Sequence, residues 1–130
     1  MRIAFDVKGT LQGPKGKFVL GLLLELQKMG HECIVWSNSF GYAVDCVDKY
    51  GLKNVRAESK SAKYDRDEAN WYDLAIEDDV GQTWLAAKRL IFVKDIPGAM
   101  GGVIKLAHVI NEGEKEPTEG IDDEGQETFE

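Results

Sequence analysis

Ile3-Ala4-Phe5-Asp6-Val7-Lys8-Gly9-Thr10-Leu11 is a short apolar run that ends in an acid and then breaks at a glycine. β-Branched and aromatic residues suit a buried strand, whereas Asp6 and Gly9 suit the point where the backbone leaves a sheet and turns. The stretch therefore sets one carboxylate at the carboxyl end of a strand. Ligands of open α/β sheets gather at that end. Asp6 is a chemical candidate by position, beside the plainer role of an Asp that caps a turn.

Outward from this run, apolar stretches alternate with helical patterns. A loop over residues 12–16 precedes Phe18, Leu20, Leu22, Leu23, Leu24, Leu26 and Met29, whose density predicts a helix over about residues 17–29, stopped by Gly30. The loop is no phosphate loop of the Gly-x-x-x-x-Gly-Lys-Ser/Thr kind, because Phe18 follows Gly16-Lys17 and Leu11 stands five positions before Gly16. Residues 31–36 predict a second buried strand, ending in Ser37-Asn38-Ser39 before a helical pattern of Tyr42, Ala43, Cys46, Val47 and Tyr50. A hydroxyl thus stands at the second strand end, with a simple helix N-cap as the other reading. Residues 54–58 predict a third strand and 71–76 a fourth. A helical run through Trp84, Leu85, Ala86, Ala87 and Lys88, a strand over 90–93 and a helix over 103–110 complete the chain. This alternation predicts one α/β domain, a three-layer Rossmann-like sandwich whose five-stranded parallel sheet carries helices on both faces.

At 130 residues and 43% hydrophobic, the chain suffices for one core. No apolar run approaches the roughly 20 residues that cross a bilayer, and the N-terminus lacks a basic-then-apolar leader. A cytoplasmic protein is expected, with no membrane partner. Cys33 and Cys46 form no Cys-x-x-Cys pair and have no His at metal-ligand spacing, which predicts buried thiols. His31 and His108 are isolated and read as surface or helix-end residues. Residues 112–130 hold nine acids against Lys115, a charge of -8, which leaves residues 1–111 at +1 within the total of -7. The expected organisation is a domain over 1–111 and a solvated acidic tail over 112–130, a candidate contact for a protein partner. Nucleic acid is not an expected partner, since no basic, aromatic-interleaved patch offsets the tail.

The fourth strand stops at Glu77-Asp78-Asp79. Three adjacent acids raise one another's pKa, and a divalent cation with hard oxygen ligands is the usual relief. An acidic helix N-terminus is the other reading.

Asp6-Val7-Lys8-Gly9-Thr10-Leu11 resembles the first motif of the haloacid dehalogenase (HAD) superfamily, Asp-x-Asp-Gly-Thr-Leu in its phosphatases, with Lys8 in place of the second aspartate. Val35-Trp36-Ser37-Asn38-Ser39 resembles the second motif, a strand closing in Ser or Thr. Ile76-Glu77-Asp78, followed at helical distance by Ala86-Ala87, resembles the Glu-Asp form of the fourth. The third motif is a single Lys before the fourth strand; Lys60 is preferred to Lys63. The four motifs occur in the family's order over about residues 2–95, and no segment is long enough for a cap domain.

The resemblance implies a capless, Mg²⁺-dependent phosphohydrolase that cleaves a phosphorylated substrate through an aspartyl phosphate. It assigns Asp6 as nucleophile, Ser37, Asn38, Thr10 and Lys60 as phosphate binders, and Asp6, Glu77 and Asp78 as metal ligands, with Asp79 as the alternative second acid. Lys8 occupies the position of the family's proton-transfer carboxyl. A lysine with an ordinary pKa near 10.4 donates a proton but is a poor base near neutrality. A slow or atypical enzyme is therefore expected, and the alternative is a catalytically silent HAD-fold binding or regulatory protein. A flavodoxin-like receiver is disfavoured, since paired acids after the first strand and a phosphoacceptor after the third are both missing.

Overall fold

The computed structural model describes residues 1–60, 70–79 and 86–115. Each apolar run becomes a parallel strand: β1 (Arg2–Asp6), β2 (Glu32–Ser37), β3 (Arg56–Ser59), β4 (Leu74–Glu77) and β5 (Leu90–Phe92). They form one five-stranded sheet in the order β3-β2-β1-β4-β5, every neighbour parallel. Three helices accompany it: α1 (Gly16–Lys28), α2 (Phe40–Lys49) and α3 (Met100–Lys115).

The side-chain period of two divides each strand between two faces. Ile3 and Phe5 of β1, Cys33 and Val35 of β2, and Leu74 and Ile76 of β4 join the buried residues of all three helices in one core. Ala4, Ile34, Trp36 and Ala75 point the other way and pack with Tyr72, Ala87 and Leu90. Helices on both faces are predicted, yet among the described residues all three lie on one. The topology accounts for α1 and α2, since β1, β2 and β3 step in a single direction across the sheet and right-handed crossovers then keep their helices on the same side. The chain next returns over β2 and β1 to reach β4. The two connections flanking β4 include residues 61–69 and 80–85, which lie outside the described residues.

Two boundaries differ from the sequence expectation. The expected helical run at residues 84–88 is not helical where it is described: Tyr72 donates its backbone N–H to the Ala86 carbonyl at 2.9 Å, Lys88 donates to the Tyr72 carbonyl at 2.9 Å, and Tyr72 and Ala87 form a parallel bridge. Alanine's helix propensity is a weak preference, and pairing with the chain entering β4 overrides it. The last helix runs on to Lys115, so Glu112 and Glu114 of the predicted tail are helical. The acids from residue 116 onward lie outside the described residues.

Of the two roles expected for His31 the surface one fails, since it is only 5% exposed, while its backbone N–H donates to the Leu26 carbonyl at 3.1 Å at the end of α1. The Met1 ammonium donates to its Nδ1 at 2.8 Å, and its Nε2 meets Asn111 Oδ1 at 2.9 Å, tying the start of β1 to α3. Cys33 and Cys46 are buried free thiols as predicted, and burial pushes the Cys33 thiol up to about 12. Gly30, with φ +95°, supplies the left-handed turn directly after α1. Among the described residues no helix is long and apolar enough to cross a membrane.

Candidate functional site

The strand order reverses direction between β1 and β4, and the crevice beyond the carboxyl ends of such a pair is where doubly wound sheets bind ligands. Asp6 ends β1, Glu77 ends β4, Ser37 ends β2, and Lys60 directly follows β3. The parallel register aligns them. Trp36 is the partner of Asp6, and one residue beyond the Phe5–Ile76 pair, Asp6 and Glu77 stand abreast. Glu58 of β3 is the next in the row, opposite Trp36.

Lys60 binds this row together. Its ammonium donates to Asp6 Oδ1 at 2.8 Å and to Glu77 Oε1 at 2.8 Å, and the residue is 3% exposed. The second oxygen of each carboxylate is also held. Thr10 Oγ1 donates to Asp6 Oδ2 at 3.0 Å, and the Trp36 indole N–H donates to Glu77 Oε2 at 2.7 Å. Burial is the main influence on both acids. It raises the Asp6 carboxyl above its ordinary range, with the Lys60 ammonium opposing and the neighbouring Asp78 carboxyl reinforcing the rise. It pushes Glu77 up to about 7, reinforced by the charge of Asp6 and opposed by Lys60 and the indole. The ammonium thus permits two buried acids to stand side by side without relieving the whole desolvation penalty.

A cleft of about 570 Å³ opens above this row and exposes Asp6, Lys8, Ser37, Asn38, Lys60 and Asp78 among its walls. Ser37 Oγ accepts the Ser39 backbone N–H at 3.2 Å, which fixes the hydroxyl at the cleft floor while Asn38 stays exposed. Two predicted site residues take different places. Thr10 is fully buried with its hydroxyl turned to Asp6, so it orients that carboxylate instead of lining the cleft. Glu77 is 0% exposed and reaches the cleft through Lys60. Asp78 and Asp79 are exposed at the rim. Lys63 lies outside the described residues.

The loop after β1 is tightly built. Leu11 donates its N–H to the Asp6 carbonyl at 3.2 Å and Gln12 to the Val7 carbonyl at 2.8 Å. Gly9 turns the chain at φ +80°, and a Cβ there would overlap the Asp78 carboxylate. Asp6 and Asp78 approach each other because residue 9 has no side chain.

Asp6, Glu77 and Asp78 each offer a carboxylate oxygen within 4.8 Å of the other two, a group that could hold a metal ion. Lys60 pairs with Asp6 and Glu77, so the three carboxylates carry more formal negative charge than this ammonium offsets. Hard oxygen donors with excess negative charge suit a divalent cation such as Mg²⁺. Asp6 and Asp78 line the cleft, whereas Glu77 is 0% exposed and is the least available of the three.

Sequence reasoning left two participants aside. Trp36 read only as a buried strand residue, yet its N–H anchors Glu77. Tyr72 stacks edge-on against Trp36, with ring centroids 5.1 Å apart, and donates its hydroxyl to Glu58. A buried Trp or Tyr seeks a polar partner, but neither partner is near in sequence. No protein-family model, curated protein or solved structure matches the chain.

Proposed function

We propose that the chain is a HAD-like, Mg²⁺-dependent phosphohydrolase that works slowly because Lys8 replaces a proton-transfer carboxyl. The observation that carries this reading is the Lys60 ammonium, held between Asp6 and Glu77 at 2.8 Å from each beneath an open cleft. It combines a fixed carboxylate nucleophile with a buried cation for phosphoryl oxygens. Phosphoryl transfer depends chiefly on such positioning and on charge around the transferring oxygens. The four HAD-like motifs, in order along the chain, support the same reading.

Asp6 attacks phosphorus through a carboxylate oxygen, the bond to the leaving oxygen breaks, and an aspartyl phosphate forms. Lys60 and the Ser37 hydroxyl receive the equatorial oxygens. Asp6 and Asp78, with Glu77 behind them, would hold Mg²⁺, which when bound offsets phosphoryl charge. Lys8, exposed at the cleft wall, donates a proton to the leaving oxygen. Water must then attack phosphorus as the bond to the Asp6 oxygen breaks, which frees phosphate and the carboxylate, and an ordinary lysine at neutral pH is a poor acceptor for the proton the water loses. Dephosphorylation is the slow half.

That same substitution favours the second reading, a silent phosphate-binding or regulatory protein on this scaffold. Turnover of phenyl phosphate with Mg²⁺ separates the two. The enzyme reading requires hydrolysis that Asp6→Asn abolishes; no turnover above background across a panel of phosphate esters leaves the binding protein.

A further inference from the structure

Lys8 is the motif residue that phosphoryl chemistry explains least. It is exposed, no carboxylate pairs with it among the described residues, and it borders two cavities. One is the main cleft. The other is a side cavity of about 210 Å³ lined by Lys8, Gln12 and Tyr42, all three of which also line the cleft. A ligand whose phosphoryl group meets Asp6, Ser37 and Lys60 would therefore have a neighbouring space bordered by Lys8, Gln12 and Tyr42.

The placement of these groups is fixed by the backbone. Lys8 and Gln12 bridge across the tight loop that Gly9 turns, and the Gln12 N–H is bonded to the Val7 carbonyl at 2.8 Å. Tyr42 stands in the first turn of α2, 57% exposed, just beyond Ser37, Asn38 and Ser39. An exposed aromatic beside an ammonium that no carboxylate among the described residues pairs with is an arrangement suited to a ligand, since the ammonium offers charge and donors while amide and phenol fix orientation.

We propose that Lys8, Gln12 and Tyr42 form a leaving-group subsite selecting phosphate esters whose leaving group carries a second anion, a carboxylate or another phosphate. Lys8 then reads substrate charge, a task to which an ammonium is suited and the family's aspartate is not. The phosphoryl half of this inference rests on the phosphate-site reading above; the second-anion half rests on the side cavity.

Phosphonates test it without requiring turnover. Methylphosphonate, phosphonoacetate and methylenediphosphonate are titrated calorimetrically into the full chain with Mg²⁺, and then into Lys8→Gln, whose exposed position puts folding at little risk. The two doubly anionic probes are expected to bind tighter than methylphosphonate by up to roughly fivefold, as an exposed ion pair allows. Lys8→Gln should bring that ratio to about one. Stronger preference for phosphonoacetate identifies a carboxylate, and for methylenediphosphonate a phosphate. A ratio near one in the unaltered chain, or a preference that survives Lys8→Gln, overturns the subsite even if phenyl phosphate is hydrolysed. Preferential binding without any hydrolysis sustains the subsite and removes the enzyme reading. Binding of none of the three overturns both.

Discussion

The indole N–H of Trp36 donates to Glu77 Oε2 at 2.7 Å, reaching from β2 over the level of Asp6 to β4. Both residues are buried, at 1% and 0% exposure. Trp36 is thus a positioning residue: it holds the carboxylate that holds Lys60, which in turn holds Asp6. Trp36→Phe keeps most of the apolar bulk but leaves one oxygen of Glu77 without its donor. The expected loss is about 1–3 kcal/mol, read as a lower urea midpoint, and a midpoint equal to that of the unaltered protein would show that the bond contributes nothing.

Removal of the central cation should be more severe. Lys60→Met preserves length and apolar bulk but leaves Asp6 and Glu77 facing each other unneutralised. Breaking a buried pair in this way costs about 3–5 kcal/mol. Both carboxyls can protonate in response, so the defect should be larger at pH 8 than at pH 5. Denaturant unfolding at the two values checks this, and an equal defect at both would refute the pairing as described.

The raised acids also predict how the unaltered protein responds to pH. Glu77 titrates near 7 in the folded chain against an ordinary 4.5, so the folded state favours its protonated form. That stability is fully present below about pH 4.5 and is lost as pH rises through about 7, by about 3 kcal/mol in magnitude. Asp6 is shifted in the same direction. In a chelator, the denaturation midpoint should therefore fall between pH 5 and 8, and Glu77→Gln should flatten the profile. Saturating Mg²⁺ should restore stability at the alkaline end.

Gly9→Ala tests the approach of β1 to the Asp78 rim. The added methyl meets the Asp78 carboxylate, and φ +80° disfavours any side chain there. If Mg²⁺ binds here, millimolar Mg²⁺ should raise the melting temperature, and displacement of Asp78 should abolish that rise, as Asp78→Ala should. A full Mg²⁺ response in Gly9→Ala would show that Asp78 is not a ligand.

Lys8→Asp addresses the slow half of the proposed reaction. If water attack on the phosphoaspartate limits turnover, the unaltered enzyme shows a stoichiometric burst of alcohol product and a phosphorylated chain by mass spectrometry. Lys8→Asp restores a carboxylate base, removes the burst and raises steady-state turnover by roughly 10²-fold or more. A variant that neither bursts nor turns over would place the defect elsewhere than residue 8.

Much of this architecture was legible in the chain. Apolar runs that stop abruptly at Asp6, Ser37 and Glu77 place polar groups at strand ends, because a buried sheet rejects such residues anywhere else. The same rule misled at one point. Glu77 looked like the first residue beyond its strand, yet it is the last residue within it and fully buried, since a lysine and an indole that no local pattern reveals take up its two oxygens. Ala86 and Ala87 illustrate the opposite failure. Their composition favours a helix, and a pairing with Tyr72, more than a dozen residues earlier, decides otherwise. Thr10 was read as a phosphate binder because the resemblance reached it, whereas its complete burial turns the hydroxyl inward to Asp6.

The Lys60–Asp6 contact spans 54 residues of chain, and the Trp36–Glu77 contact spans 41. No segment comprising only β1, α1 and β2 contains the pair of acids or the ammonium between them. Loop-closure entropy makes such distant pairings slow to form. The full set of cleft groups therefore exists only where β4 has docked beside β1, and its occupation by any ligand counts only those molecules.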